Sequence, residues 1–276
     1  VEKRQGEDIG ERTAAADRDF EVAADLGCHR GTLAQAAAEG GLPQGKIGML
    51  VSSDMSMPML ASAPVPRVVA DEEALPFANG SLNLATSILS LHWANDLPGA
   101  LIQIRRALKP DGLFLGALFG GETLTELRQS LAEAEIEMEG GLSPRVSPFA
   151  DLRDMGSLLQ RAGFALPVAD TDRVTVRYAD PLRLMADLRG MGETNAPTDR
   201  RRAPMRRSTL MRARAIYREK FALPPARGPA PFAIVIVTRS PPPEPPPKPP
   251  RPASARARPA DALAPVSPPL GATPAR

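Results

Sequence analysis

One cysteine, two histidines and one tryptophan stand among 276 residues. The lone thiol, Cys28, forms no internal disulfide, and one cysteine with two histidines does not supply the clustered ligands of a zinc site. That scarcity predicts a reducing, cytoplasmic setting. Aromatic residues make up 4% of the chain, so basic and aromatic side chains do not interleave as they do on single-strand nucleic-acid surfaces. An excess of charge is missing too: 34 Lys and Arg against 32 Asp and Glu leave a net +2, and nucleic acid is not expected as a partner. No apolar run approaches the roughly 18 to 20 residues that span a bilayer, and the opening "VEKRQGEDIGER" is too charged for a secretory signal. A soluble protein with no membrane span is expected.

Proline, by contrast, is abundant and unevenly placed. Fourteen of the 31 prolines fall in the last 37 residues, where Lys248, Arg251, Arg256, Arg258 and Arg276 against Glu244 and Asp261 leave +3. Proline lacks a backbone donor, so a packed helix or central strand is excluded there. The sequence divides into an N-terminal extension (1–20), one main domain (21–239) and a disordered, polyproline-II-like tail (240–276). A chain of this length can bury a full core.

From about Phe20 to Tyr178, short apolar runs alternate with segments of helical period, the pattern of an α/β fold with a parallel sheet flanked by helices. Seven strands are predicted: Glu21 to Leu26, Ile47 to Ser53, Val68 to Ala70, Leu82 to Ser87, Leu113 to Leu118, Thr171 to Tyr178 and Phe232 to Thr238. Helices are predicted for "TLAQAAAEGG", stopped by Gly40 and Gly41, and for "NDLPGALIQIRRALKPDG", capped by Asp96. Three more follow in "ETLTELRQSLAEAEIEME", "DLRDMGSLLQRAG" and "DPLRLMADLRGM". The arginine-rich "DRRRAPMRRSTLMRARAIYREKF" has an apolar stripe of Leu210, Ala213, Ile216 and Tyr217. It reads either as a solvated basic face on a packed helix or as a surface for an acidic partner or nucleic acid.

The first strand runs into "DLGCHRG", a turn with Gly27 and Gly31 that leads to a helix at Thr32. Glycines let a ligand approach the backbone, and a helix start offers unpaired N–H groups. Asp25 precedes the turn, Asp54 ends the second strand and Asp71 ends the third. A carboxylate at the second position can accept hydrogen bonds from both hydroxyls of a ribose. Asp71, beside Leu75, Pro76 and Phe77, could hold an adenine amino group. Each acid also has a plainer reading: Asp25 as a brace for the turn, Asp54 as a cap over Met55 and Ser56, Asp71 as a cap for "EEAL". His29 stands where a third glycine would be expected and reads either as a solvent-facing side chain or as a contact to the ligand.

Together, "DLGCHRG", "SSDMS", "ADEEALPF" and "SILSLHWANDLPGALIQIRRALKPDGLFLGALFGGETLTELR" resemble the class I S-adenosylmethionine-dependent methyltransferases. The similarity is strongest to the branch that holds a mitochondrial complex I assembly factor, also associated with protein arginine hydroxylation, and its bacterial relatives. The malonyl-carrier-protein methyltransferase of biotin synthesis is a near cousin. It implies a Rossmann-like seven-stranded sheet of order 3-2-1-4-5-7-6 and S-adenosylmethionine as cofactor. Asp25, Gly27, Cys28 and Gly31 would then form the methionine-side turn, Asp54 with Met55 the ribose site, Asp71 with Glu72 the adenine side, and Ser90 with Leu91 the inner wall. His92, Trp93 and Glu122 become candidates on the substrate side, although a strand-end histidine, a core aromatic and an exposed ion pair of Glu122 or Arg128 are equally open. The implied partner is a protein substrate, such as a respiratory complex I subunit, or an acyl-carrier protein.

Methyl transfer from a sulfonium is an in-line displacement, so alignment and exclusion of water matter most, and a base is needed only for a protonated acceptor. Hydroxylation needs an oxidant or a metal, for which the low histidine and cysteine counts leave no evident ligand set. A cofactor-binding assembly factor without turnover is the third possibility. About twenty residues precede the first strand, fewer than this branch usually carries, and the chain begins at Val1. A truncated N-terminus with an incomplete lid is therefore expected.

Overall fold

The computed structural model describes residues 1–146, 149–195, 200–222 and 227–240. The predicted proline-rich tail thus lies, apart from Ser240, outside the described residues. The described residues all belong to one compact unit. No helix among the described residues is long and apolar enough to cross a membrane.

The strands are β1 (Phe20–Leu26), β2 (Ile47–Asp54), β3 (Arg67–Val69), β4 (Leu82–Ile88), β5 (Leu108–Phe119), β6 (Ala165–Tyr178) and β7 (Gly228–Ser240). They form one sheet of order β3-β2-β1-β4-β5-β7-β6. The first five are mutually parallel, and β7 runs antiparallel to both of its neighbours. The expected order is therefore the observed one. Period-2 alternation divides the two faces: Leu115, Ala117 and Phe119 of β5 with Ile234 and Ile236 of β7 pack into one core, while Phe114 and Leu118 with Val235 and Val237 pack into the other.

The helices are α1 (Glu2–Ala15), α2 (Thr32–Ala36), α3 (Met57–Leu60), α4 (Leu97–Ala107), α5 (Thr125–Glu139), α6 (Leu152–Arg161), α7 (Pro181–Gly190) and α8 (Arg207–Phe221). α4 forms as its sequence predicts. Asp96 caps it by accepting from the Gly99 N–H at 2.9 Å, Pro98 occupies its first turn, and Leu101 and Ile104 are fully buried. Each of those two side chains contributes about 1.5–3 kcal/mol by leaving water.

Several elements differ from expectation: β6 begins at Ala165 instead of Thr171, and β7 at Gly228 instead of Phe232. The helix predicted from Glu122 starts at Thr125, because Leu124 is left-handed (φ 55°) and the Thr123 hydroxyl is tied to the Ala233 carbonyl at 3.0 Å. β5 begins at Leu108 instead of Leu113, since Leu108 already pairs with Leu82 ahead of the Asp111 turn. Most consequentially, residues 2–15 form a helix that packs on α2 and lies over β4 and β5. Its buried face is Gln5, Gly6, Ile9, Gly10 and Thr13. A side chain at position 6 would meet Thr32 at 2.7 Å, so glycine sets the close approach of α1 to the turn after β1.

The basic helix α8 finds its acids within the chain. Arg212 pairs with Glu137 (2.5 Å), Lys220 with Glu133 (2.5 Å) and Arg214 with Asp180 (2.6 Å). The acidic face of α5 is thus the counterpart of α8.

Candidate functional site

At the end of β1, strand register brings Asp25 level with Thr86 of β4. Asp25 is fully buried and accepts from the Thr86 hydroxyl at 2.9 Å. Burial pushes its carboxyl up to about 7, against the hydrogen bond from Thr86. The plainer expectation for Asp25, a brace for the turn backbone, gives way to a side-chain partner on the next strand.

The turn beyond it has three left-handed residues: Gly27 (φ 61°), His29 (φ 52°) and Gly31 (φ 81°). Glycine is required at 27, where a Cβ would collide with Ser90 and Glu72. Those two side chains are hydrogen-bonded to each other, the Ser90 hydroxyl donating to the Glu72 carboxylate. Cys28 turns its side chain away to pack with Leu60 and Ala63. Burial pushes its thiol up to about 12, and Asp25 and Asp54 add to that.

His29 tolerates its left-handed backbone with help from two acids. Its N–H donates to Asp54 Oδ2 at 2.9 Å, and its ring Nδ1 lies 3.1 Å from Glu2 Oε1. Glu2 also accepts from the Thr32 hydroxyl at 2.5 Å. The Glu2 contact raises the imidazole above its usual range, and the same contact holds the Glu2 carboxyl below the usual one. The His29 side chain therefore faces α1, neither fully solvated nor simply a wall of the ligand site.

Asp54 is 7% exposed, and its other oxygen accepts from the Ser56 N–H at 2.7 Å. The expected helix cap is not formed, because α3 begins at Met57 with Ser56 at its N-cap and on that side Asp54 bonds only the turn before it; the same carboxylate lines a cleft of about 590 Å³ shared by His29, Trp93, Glu2, Thr32 and Met191. Met55 is 64% exposed outside it. Asp71 is exposed and caps its own turn by accepting from the Glu73 N–H at 2.8 Å. Leu91 is buried at the start of a 3-10 turn.

A second cavity of about 270 Å³ adjoins this edge, lined by Phe119, Leu127, Phe149, Met185, Arg145 and Glu193 among others. Arg145 is tied to Glu135 at 2.6 Å. Burial pushes Glu135 up, but the hydrogen bonds from Arg145 and Ser143 outweigh it and bring the carboxyl down to about 2. His92 stacks among Trp93, Phe119 and Phe149, with ring centroids at 5.4, 4.9 and 5.9 Å. Its Nε2 lies 3.2 Å from Glu193.

The structure therefore brings Asp54, His29 and Trp93 to one cleft and groups Gly27, Glu72 and Ser90 beside the turn. It does not bring Glu122 to either cavity: Glu122 pairs with Arg173 at 2.7 Å on the exposed surface, and Arg128 bonds the Gly121 carbonyl instead. Sequence reasoning missed Glu2, Thr86 and Glu193. Thr86 carries a signal, a hydroxyl inside an apolar strand, whereas Glu2 and Glu193 carry none.

A methyltransferase-domain family profile matches residues 24–116. The mitochondrial arginine-hydroxylase NDUFAF5 of Mus musculus is 44% identical over 239 residues, covering 85% of this chain and 68% of that protein. The malonyl-[acyl-carrier protein] O-methyltransferase of Halorhodospira halophila is 41% identical over 168 residues, 61% of this chain and 55% of that protein. The crystal structure of YcgJ from Bacillus subtilis superposes with a TM-score of 0.58 at 15% identity, over 87% of this chain and all of that one, a likeness of fold. The chain belongs to the class I S-adenosylmethionine-dependent methyltransferase family, in the branch of the arginine-hydroxylase NDUFAF5.

Proposed function

We propose that the cleft beside Asp54 binds S-adenosylmethionine and that the chain uses it to modify a protein substrate. The observation that carries the reading is Asp54 itself, a carboxylate almost wholly buried at the carboxyl end of β2, held by the His29 and Ser56 N–H groups, and facing a cleft of cofactor size. Each oxygen keeps a second lone pair for a ribose hydroxyl. Gly27 fits the same reading, because only a bare backbone passes beneath Ser90 and Glu72.

When bound, the cofactor supplies a methyl group on a cationic sulfur. The chain's own part is to orient and to exclude water. Asp54 fixes the ribose end, the Gly27–Gly31 turn offers its backbone, Glu72 and Ser90 flank that turn, and α1 closes over it through Glu2, Thr32 and His29. Trp93 is 36% exposed in the cleft wall, where an acceptor would enter.

A protein substrate is favoured by the relatives named for arginine hydroxylation, and the resemblance to the assembly-factor branch supports a role in respiratory complex I assembly. A carrier-protein acceptor is the second reading, favoured by the 41% identity to the malonyl-carrier methyltransferase. Calorimetric titration with S-adenosylmethionine tests the site: the wild type gives saturable heat, and Asp54→Ala weakens binding by about tenfold to a hundredfold, the loss of charge-assisted hydrogen bonds. Unchanged affinity in the variant, or no heat in the wild type, overturns the assignment. Labelled methyl donor incubated with cell extract then separates the acceptors.

A further inference from the structure

Glu193 is the one described residue that lines both the Asp54 cleft and the second, apolar cavity. Its place is set by the end of α7. Gly192 is left-handed (φ 85°), its N–H donates to the Arg189 carbonyl (3.2 Å), and the Glu193 N–H donates to the Leu188 carbonyl (2.9 Å). That is the paired hydrogen-bond pattern of a glycine-terminated helix, and it fixes the residue after the glycine. The side chain then meets His92 Nε2, while His92 is held among three aromatic rings.

The Glu193 carboxylate, whose side chain is 16% exposed, has no permanently charged partner, Lys or Arg, among the described residues. The negative end of α7 adds to its need for a cation. Arg145, in the same cavity, is already neutralised by Glu135, and Arg189 lies at the exposed rim. The cavity interior is formed by Phe119, Leu127, Phe149 and Met185, and its volume of about 270 Å³ suits one side chain.

We propose that Glu193 is the acceptor-binding residue: it holds a cationic nitrogen group, a guanidinium or an ammonium, whose apolar stem fills the second cavity, and it presents that group to the Asp54 cleft. His92 is its positioning residue. The proposal rests on the cofactor reading of that cleft, but binding of the cation is measurable without cofactor.

Trp93, the chain's only tryptophan, adjoins His92 and lines the cleft, so its fluorescence reports occupancy. The purified chain is titrated with n-butylguanidinium and, separately, with butyrate, with and without S-adenosylmethionine. The wild type binds n-butylguanidinium in preference to butyrate. Glu193→Gln, of the same shape, weakens this by about tenfold or more, as expected for a lost charge-assisted pair. His92→Phe weakens it too, whereas His92→Gln, which keeps a donor near the Nε2 position, restores it to within about threefold. Glu133→Gln, on the exposed face of α5, binds as the wild type does. Thermal melting of each variant establishes that it is folded. Preference for butyrate, binding of neither probe, or a Glu193→Gln affinity within about twofold of wild type overturns the proposal. Probe binding that survives in a protein with no response to S-adenosylmethionine overturns the cofactor reading alone and leaves Glu193 as a cation site.

Discussion

The His29 N–H donates to Asp54 Oδ2 at 2.9 Å while His29 itself sits at φ 52°, so the carboxylate we propose for the ribose also stabilises a left-handed residue in the glycine turn. A left-handed non-glycine residue costs about 1–2 kcal/mol, although histidine is among those that tolerate it best. His29→Gly keeps the N–H to Asp54 and relieves that cost, but it loses the imidazole contact to Glu2. Once pH has risen through the raised imidazole value and that contact is lost, the variant is expected to equal or exceed the wild type in denaturant stability. Below pH 6.5, where the contact is complete, the wild type regains ground. A variant that stays clearly less stable at high pH would mean that the ring packs more than it strains.

The Glu2–His29 pair makes the docking of α1 depend on pH. His29 is raised above its ordinary 6.5, so its contribution is complete below that value and is lost as pH rises through the higher folded value. Glu2 is lowered below its ordinary 4.5, so its contribution is present above that value and is lost as pH falls through the lower folded one. α1 is therefore held best between the two. Amide hydrogen exchange in residues 2–15, corrected for the intrinsic pH dependence, accelerates above pH 7 in the wild type. In Glu2→Gln the corrected rates lose that dependence; if they keep it, another group governs the docking of α1.

Asp25 acts in an overlapping range through a different cause. Its folded value of about 7 lies above the ordinary 3.8, so the buried protonated form favours folding below 3.8 and that advantage is lost as pH rises through 7. Asp25→Asn keeps an acceptor for the Thr86 hydroxyl and removes the titration. Denaturant unfolding should show wild-type stability falling from about pH 4 to about pH 7, with a shallower fall in Asp25→Asn. Parallel curves for the two proteins would place the titration elsewhere, and Glu2→Gln distinguishes the share due to His29.

What the sequence made legible was whatever depends on local period and strand ends. The apolar runs located all seven strands, and their carboxyl ends placed Asp25 and Asp54 on the edge that carries the cleft. Asp71 satisfied the same rule, yet its carboxylate closes a local turn, because a short acid after a strand serves a cap as readily as a ligand. α1 escaped notice because a face of Gln5, Gly6, Ile9, Gly10 and Thr13 has no apolar stripe; its fit comes from close backbone approach. The basic side chains of α8 looked unpartnered because their acids lie elsewhere in the chain: Asp180 is 34 positions from Arg214, and the α5 acids Glu137 and Glu133 are 75 and 87 positions from Arg212 and Lys220. Glu193 and His92 are 101 positions apart and meet only through tertiary packing.

Gly192 and Gly190 separate two effects that look alike in sequence. Gly190, the last residue of α7, has open space where a side chain would go, so Gly190→Ala raises helix propensity and is expected to stabilise by about 0.5–1 kcal/mol. Gly192 also has open space, but its φ of 85° disfavours any Cβ, and Gly192→Ala is expected to cost about 1–2 kcal/mol. The chain can escape that cost by unwinding the cap, which releases the Glu193 N–H from the Leu188 carbonyl and moves the carboxylate off His92. Gly192→Ala should therefore lose n-butylguanidinium binding as well as stability, while Gly190→Ala gains stability and keeps binding. Equal binding in both variants would show that Glu193 does not depend on the helix cap for its position, and the link from the α7 terminus to the acceptor site would be broken.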